Sequence, residues 1–261
     1  MQQAVGGQMQ LASCSPMTVV AGTATKHVRS NMEAAFIAFN SPEALAHQLA
    51  YDVSKRIERG IKRDGDASLV VSGGNTPLSL FGELQHCDVD WKHVHVTLAD
   101  ERWVDTDEPH SNEKLVREHL LNDEMHFVPL KNKAASVEEG IAESEKAIRA
   151  MPQPFSACVL GMGEDGHTAS LFPMHEQSHA SMQEGYTDYC VAINDAPKEP
   201  ANRISLSKHA LLQSRYLAIH ILGEQKRNMI EEAMRHYDPD VYPISAFLHQ
   251  DEVPVCIYWA A

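Results

Sequence analysis

A glycine-rich loop raises the first question about chemistry in this chain. Residues 158–167 read CVLGMGEDGH, and residues 161–166 form a literal G-x-G-x-x-G after an apolar run. After a strand, this pattern is typical of a turn that binds a dinucleotide. Here Glu164 and Asp165 stand inside the pattern, where their negative charge would repel a pyrophosphate. We therefore expect no NAD(P) site here.

The same loop carries a candidate general base, His167. An imidazole with a pKa near ~6.5 can take a proton from water at neutral pH. Either Asp165 or Glu164 could orient the ring and stabilise its charged form, as in a catalytic triad. No strong nucleophile stands nearby, because Cys158 falls within the predicted strand. The alternative is a surface loop that happens to carry one of fifteen histidines.

A second cluster, Ser72-Gly73-Gly74-Asn75-Thr76-Pro77, follows a predicted strand and precedes a predicted helix. Backbone N–H groups at a helix N-terminus, beside two glycines, can bind an anion. We expect Thr76 to cap this helix and Pro77 to occupy its first turn. The G-K-[ST] ending of a P-loop is missing, and an ordinary strand–helix turn remains the alternative.

Charged residues end or begin three further predicted elements. Arg102 in Asp100-Glu101-Arg102 offers a planar fork for a phosphate, a carboxylate or a developing oxyanion. Arg203 opens a strand, and Lys226 follows another, so both cations could hold a phosphate. Ser111-Asn112 could contact a ligand, although the role of Ser111 as a helix cap is enough to account for it. Each of these residues alone is also compatible with an ordinary solvated surface.

Strands and helices alternate along the chain, which predicts how these clusters are positioned. Such alternation without a long linker is typical of an α/β fold with a mostly parallel sheet covered by helices on both faces. Ligands in such folds bind beyond the carboxyl ends of the strands. The predicted strands are Ala34–Phe39, 68–71, 94–98, 155–160, 203–206, 216–222 and 255–259, and the predicted helices begin near Ser41, Ser111, Val137 and Glu224.

Composition excludes several classes of protein. The formal net charge is −14, which disfavours nucleic acid and anionic membranes as partners. No apolar run approaches the ~18 residues of a membrane span. The five cysteines are scattered without C-x-x-C spacing, and no histidine pair forms H-E-x-x-H, so we expect no disulfide framework and no metal. A reducing, cytoplasmic location fits this pattern.

The N-terminal segment differs from the rest. No acidic residue precedes Glu33, and Lys26 and Arg29 are its firmly basic residues. We expect residues 1–31 to be a poorly ordered extension, or to reflect a misplaced start, rather than a targeting segment. On this interpretation, residues 32–261 form one α/β domain that begins near Met32.

Together, the clusters are far more specific than any one of them. In order, the chain contains SGG-x-TP at 72–77, DER at 100–102, SN at 111–112, GMG-x-DGHTASLFP at 161–173, RISL at 203–206 and G-x-x-K at 223–226. From about Phe36 onward the sequence closely resembles the 6-phosphogluconolactonase family. That resemblance implies a Rossmann-like α/β fold, shared with glucosamine-6-phosphate deaminases, and hydrolysis of 6-phospho-D-glucono-1,5-lactone without metal or cofactor.

The resemblance also implies roles for the predicted residues. His167 would act as general base toward water, with Asp165 or Glu164 as its partner, and Arg102 would bind the substrate and polarise the lactone carbonyl. The remaining candidates would bind the substrate and its phosphate: Ser72, Gly73, Gly74, Asn75, Thr76, Asp100, Asn112, Arg203 and Lys226. We expect a monomer or a homodimer.

Two alternatives remain within the fold. A glucosamine-6-phosphate deaminase has Asp-Glu-Tyr where this chain has DER at 100–102, and a further catalytic Glu where this chain has SLFP at 170–173. A non-catalytic sugar-phosphate sensor of the kind found in transcription regulators would need a DNA-binding segment. No helix-turn-helix or basic arm is recognisable.

Overall fold

Ten strands, eight α-helices and one short 3-10 helix follow one another along residues 34–261, which are the residues that this computed structural model describes. The predicted extension at 1–31 and the predicted domain start at Met32 lie outside the described residues. The strands are β1 (Ala35–Phe39), β2 (Ala67–Val71), β3 (Val94–Leu98), β4 (Asp100–Arg102), β5 (His126–Phe127), β6 (Ala157–Leu160), β7 (Cys190–Ile193), β8 (Arg203–Leu206), β9 (Leu217–Leu222) and β10 (Val255–Ala260). The helices are α1 (Pro42–Asp64), α2 (Leu78–Gln85), α3 (Asn112–His119), α4 (Val137–Arg149), α5 (Glu176–Met182), α6 (Lys208–Leu212), α7 (Glu224–Arg235) and α8 (Ser245–Leu248).

Seven strands form one parallel sheet in the order β1-β10-β9-β6-β2-β3-β5. Leu69, Val70 and Val71 of β2 are all fully buried, although successive side chains of a strand point to opposite faces. Both faces of the sheet are therefore covered. Helix α1 packs against α2, and α2 packs against α3. Because crossovers between parallel strands are right-handed as a rule, the reversed direction in which the later strands are added to the sheet predicts that α4 and α7 lie on the opposite face. The predicted fold class is confirmed.

The order of the strands places a binding crevice at the middle of the sheet. From β2 the chain proceeds to β3 and β5 at one edge, whereas from β6 it proceeds to β9 and β10 toward the other edge. Neighbouring connections thus diverge between β2 and β6. Such a switch point opens a crevice beyond the carboxyl ends of the two strands, where ligands of α/β proteins bind.

A second, three-stranded antiparallel sheet was not predicted from the sequence. Its order is β4-β8-β7, and Arg102 lies opposite Arg203 in the pairing of β4 with β8. The charged segment Asp100–Arg102 is therefore a short strand rather than a solvated loop. Arg203 lies on this small sheet, and the sequence pattern gives no sign that its strand leaves the parallel sheet.

Helix starts follow local side-chain chemistry in two places and depart from it in a third. The hydroxyls of Ser41 and Ser111 accept hydrogen bonds from the backbone N–H groups three residues ahead, at 3.2 and 3.1 Å, so both predicted caps are confirmed. The predicted cap at Thr76 is wrong. Helix α2 begins at Leu78 with Pro77 in the N-cap position, because Thr76 belongs to the turn before it.

No helix within residues 34–261 is long and apolar enough to cross a membrane.

Candidate active site

A cavity of about 270 Å³ lies at the predicted crevice and gathers most of the predicted site residues. Every one of them lines it except Glu164 and Asp165. The residues that line the cavity, from the sequence prediction, are Ser72, Gly73, Gly74, Asn75, Thr76, Asp100, Arg102, Asn112, His167, Arg203 and Lys226. Residues from β2, β6, β9 and the small antiparallel sheet thus meet in one site.

His167 is held by a loop that closes on itself. The Gly163 N–H donates to the carbonyl of His167 at 2.8 Å, and the Gly166 N–H donates to the carbonyl of Gly163 at 3.1 Å. A Cβ on Gly163 would lie 2.1 Å from two atoms of the His167 ring, so only glycine fits there. The last two glycines of the motif, Gly163 and Gly166, therefore belong to a loop that seats an imidazole.

Asp165 is the acid that contacts His167. Its Oδ1 pairs with Nδ1 of the ring and also accepts the His167 backbone N–H at 3.3 Å. Partial burial opposes ionisation of Asp165, but the hydrogen bond and charge of His167, together with Lys198 at 3.3 Å, hold its pKa well below the usual range. Glu164 instead accepts a hydrogen bond from Gln225 at 3.2 Å.

The pairing at Nδ1 determines which ring nitrogen is available for chemistry. With the Nδ1 proton directed to Asp165, the neutral tautomer leaves the lone pair on Nε2. Nε2 has no hydrogen-bond partner among the described residues. The ring of His167 lines the cavity and packs on Phe172, with 4.8 Å between the ring centroids. The imidazole is therefore oriented to accept a proton from a group in the cavity.

Two arginines lie close together on one side of the cavity. Arg102 donates from Nη1 to the carbonyl of His110 at 2.6 Å, while its buried Nε has no partner among the described residues. Arg203 donates to the carbonyls of Lys198 and Pro200 at 2.8 and 3.0 Å. Burial lowers the pKa of Arg203, and the charge of Arg102 lowers it further. Two partly desolvated cations make this side attractive to an anion.

Asp100 connects Arg203 to the polar residues Ser170 and Asn112. Its Oδ2 lies 4.0 Å from Nη1 of Arg203 and accepts a 2.5 Å hydrogen bond from Ser170. Its backbone carbonyl accepts from the Asn112 amide at 2.9 Å. Asp100 is 6% exposed and therefore acts mainly to hold its neighbours in place.

Glu101 lies behind the cavity and fastens the start of α3. Its carboxylate accepts backbone N–H groups from Arg102, Asn112 and Glu113 at 2.6 to 2.8 Å, and the Ser111 hydroxyl at 3.1 Å. Burial raises the pKa of Glu101 to about 7, and the backbone donors lower it only part of the way back. Glu101 is fully buried and does not line the cavity, so its contribution is to position Arg102 and Asn112.

The loop after β2 offers backbone donors to the cavity. The Ser72 hydroxyl is occupied, since it accepts the Gly161 N–H at 3.0 Å and donates to the carbonyl of Val159 at 3.2 Å. In contrast, the backbone N–H groups of residues 73–76 donate to no other described residue. Successive unpaired N–H groups near a helix N-terminus form an anion site.

Lys226 supplies a further cation to the lining of the cavity. It lies in the first turn of α7 and has no ion pair within 4 Å among the described residues. Burial lowers its pKa, and this is only partly offset by the negative charge of Glu164. An anion in the cavity would therefore find an unpaired ammonium group.

Sequence reasoning missed four residues that complete the site: Ser170, which holds Asp100; Phe172, which packs on His167; Lys198, which pairs with Asp165; and His220, which lines the cavity. Only His220 had a usable signal, because it is the single polar residue in the otherwise apolar strand β9. The contacts of Ser170 and Lys198 join segments that are far apart in the sequence, whereas Phe172 is five positions from His167 and its contact depends on how the loop folds back.

Comparisons with known proteins agree with this geometry. Residues 40–257 match the family described as glucosamine-6-phosphate isomerases/6-phosphogluconolactonase. A 6-phosphogluconolactonase from Rhizobium meliloti is 37% identical over 85% of this chain and 97% of its own length. One from Pseudomonas putida is 36% identical over 83% of this chain and 89% of its own length.

A solved structure extends the comparison to the fold. The crystal structure of a 6-phosphogluconolactonase from Shewanella baltica is 42% identical and superposes with a TM-score of 0.84, covering 88% of this chain and 98% of that chain. Fold, site and sequence therefore point to the same relatives. This chain belongs to the glucosamine-6-phosphate isomerase/6-phosphogluconolactonase family.

Proposed function

We propose that this protein hydrolyses 6-phospho-D-glucono-1,5-lactone to 6-phospho-D-gluconate. The observation that carries the proposal is the Asp165–His167 pair, whose available Nε2 belongs to a cavity that also contains Arg102 and Lys226. A base, an oxyanion partner and an anion site in one cavity are what hydrolysis of a phosphorylated lactone requires. The names of the relatives support this substrate.

In the proposed reaction, Nε2 of His167 removes a proton from water while the water oxygen attacks the lactone carbonyl carbon. The carbonyl oxygen gains negative charge, which the guanidinium of Arg102 stabilises. When the tetrahedral intermediate collapses, the bond from C1 to the ring oxygen breaks. The protonated His167 then returns its proton to the leaving ring oxygen, so no net charge accumulates on the imidazole.

We propose that the opposite end of the substrate, its phosphate group, occupies the anion site formed by the N–H groups of residues 73–76, Lys226 and Arg203. The overall charge of −14 repels a phosphorylated substrate, and these groups supply the local attraction that offsets this repulsion. Holding a remote phosphate places the carbonyl beside His167, which converts binding energy into orientation.

A deaminase reaction has less support from the same site. Ring opening and isomerisation need an additional acid–base group, and residues 170–173 carry no carboxylate. Ser170 in this segment donates its hydroxyl hydrogen bond to Asp100 and is fully buried. We also propose that the protein acts in the cytoplasm as a monomer or homodimer, which remains a prediction from the sequence.

The direct test of this function is an assay of freshly prepared lactone. The lactone hydrolyses slowly in water, so the rate must be compared with and without protein, following acid release or formation of 6-phosphogluconate. Saturable acceleration proportional to protein concentration is expected. A rate equal to the uncatalysed one would reject the function.

Activity is expected to survive exhaustive treatment with EDTA. No three His, Cys, Asp or Glu side chains of residues 34–261 gather into a group that could hold a metal ion, and the proposed mechanism relies on Arg102 for charge stabilisation. The measurement is kcat/KM before and after dialysis against chelator. Loss of activity that a divalent cation restores would contradict the metal-free mechanism.

Gly73→Ala is expected to disrupt the site by overpacking. A Cβ on Gly73 would lie 1.9 Å from the Asn112 side-chain oxygen, and Asn112 is held in place by its bond to Asp100. We expect a loss of about 1–3 kcal/mol of unfolding free energy and a fall in kcat/KM on the order of 10²-fold, because Asn112 and the anion loop must move. Urea unfolding and steady-state kinetics measure the two effects.

Gly82→Ala is the matched control for this substitution. Gly82 lies in α2, and a Cβ there would meet nothing within 4 Å. Alanine in a helix interior should raise stability by about 0.5–1 kcal/mol and leave activity unchanged. If Gly73→Ala behaved like this control, Asn112 would not be packed against the loop as described.

A further inference from the structure

His220 is a buried titratable residue that the proposed reaction does not use. It lies near the carboxyl end of β9, between the fully buried Ile219 and Ile221. Its side chain lines the cavity although the residue is only 2% exposed. The pairing of Ile219 with Leu160 places His220 level with Gly161, whose backbone N–H donates to the Ser72 hydroxyl. His220 therefore forms part of the cavity floor.

Neither ring nitrogen of His220 has a hydrogen-bond partner among the described residues. An unpaired polar group in the interior is costly, so such groups are rare unless they serve a ligand. The other residues of β9 are all apolar, so leucine at position 220 would fit the strand equally well. The unpaired ring, directed into a cavity, indicates a group that a bound ligand completes.

The protonation state of the His220 ring limits which ligand group it can bind. Burial, and to a lesser degree the nearby charge of Lys226, lower the pKa of His220 to about 4. The ring is therefore neutral at physiological pH and presents one N–H donor. Beside Lys226, a neutral donor can bind the same anion as the ammonium group without adding repulsion between two cations.

We infer that His220 binds the phosphate group of the substrate, donating its ring N–H to a phosphate oxygen that Lys226 also contacts. This inference rests on the proposed function for the identity of the phosphorylated substrate. The donors that converge on the phosphate are then the N–H groups of residues 73–76, the ammonium of Lys226, the guanidinium of Arg203 and the imidazole of His220. They come from the ends of β2 and β9, the start of α7 and the small antiparallel sheet.

The test compares His220→Leu with wild type on two substrates, the phosphorylated lactone and neutral glucono-1,5-lactone. We expect kcat/KM for the phosphorylated lactone to fall about 10- to 100-fold, mostly through KM, since one hydrogen bond to a charged group is lost. The value for the neutral lactone should stay within about twofold. Equal losses on both substrates, or no loss on either, would overturn the assignment.

A stability measurement separates this role from a purely structural one. Leucine fills the space without an unpaired nitrogen, so the Tm of His220→Leu should equal or exceed that of wild type. A histidine kept for packing would instead lower the Tm when replaced. Replacement by Asn or Gln, which keep an N–H donor at the positions of Nδ1 and Nε2, should restore part of the activity in one of the two variants. Failure of both would contradict a donor role.

His95→Leu provides the matched control. His95 is also a strand histidine, but it stacks on His126 and does not line the cavity, so its replacement should leave the substrate preference unchanged. Inorganic phosphate gives a readout that does not depend on hydrolysis. Its Kd, measured by calorimetry, should rise about tenfold or more in His220→Leu and stay constant in His95→Leu. If wild type failed to hydrolyse the lactone, the proposed function would fall, and the phosphate Kd would still decide the role of His220.

Discussion

His167→Ala is expected to lower kcat for the phosphorylated lactone by about 10²–10⁴-fold and to change KM little. The Nε2 lone pair is the proposed proton acceptor, and alanine removes it while leaving the anion site intact. His167→Gln should not restore the rate, because an amide does not accept a proton from water at neutral pH. Steady-state and single-turnover kinetics on fresh lactone, corrected for the uncatalysed rate, measure the effect.

The two neighbouring acids and a remote histidine supply the controls for this result. Asp165→Asn should lower kcat, since Asp165 orients the ring, whereas Glu164→Gln should not, since Glu164 contacts Gln225 instead. His179→Ala should be neutral because this half-exposed residue pairs with Asp240 away from the cavity. Turnover of His167→Ala near the wild-type value would remove His167 from the mechanism.

Removing the phosphate from the substrate is expected to produce the second large effect. Neutral glucono-1,5-lactone contains the same ester but nothing for the anion site to hold. We expect its kcat/KM to be lower by several kcal/mol in transition-state stabilisation, on the order of 10³-fold or more, because remote binding energy orients the reacting carbonyl. Comparable efficiency on both lactones would show that the phosphate is not recognised.

Lys226→Met tests which group reads the phosphate. Within residues 34–261 Lys226 has no ion pair to lose, so its removal should lower kcat/KM for the phosphorylated lactone by about 10²-fold and barely affect kcat/KM for the neutral one. Added salt should weaken only the phosphorylated reaction. Arg203→Ala should also reduce the difference in kcat/KM between the phosphorylated and the neutral lactone. It will lower the stability as well, because Arg203 donates hydrogen bonds to the carbonyls of Lys198 and Pro200. If the difference in kcat/KM between the two lactones were unchanged in Lys226→Met, the phosphate would bind elsewhere.

The family assignment and the main fold were accessible from the sequence because their signals are local. The Ser41 and Ser111 caps close hydrogen bonds over three residues, and the apolar strands alternate with helices whose apolar spacing is regular. The motif at 161–167 likewise carries its own meaning, since the loop that seats His167 closes between Gly163 and His167. Thr76 shows the limit of such reasoning, because the helix after it begins at Leu78.

The sequence by itself determined which chemical groups are present and roughly where each strand ends. Only the tertiary structure decided that Asp165 rather than Glu164 meets His167, that Arg203 belongs to a second sheet opposite Arg102, and that the His220 ring lies in the cavity floor without a hydrogen-bond partner in the described part of the chain. Asp100 and Ser170, seventy positions apart, share a 2.5 Å hydrogen bond that no local pattern encodes. A hydrogen bond that closes within one turn is set by neighbouring side chains, whereas these contacts depend on strand order and on how both sheets pack.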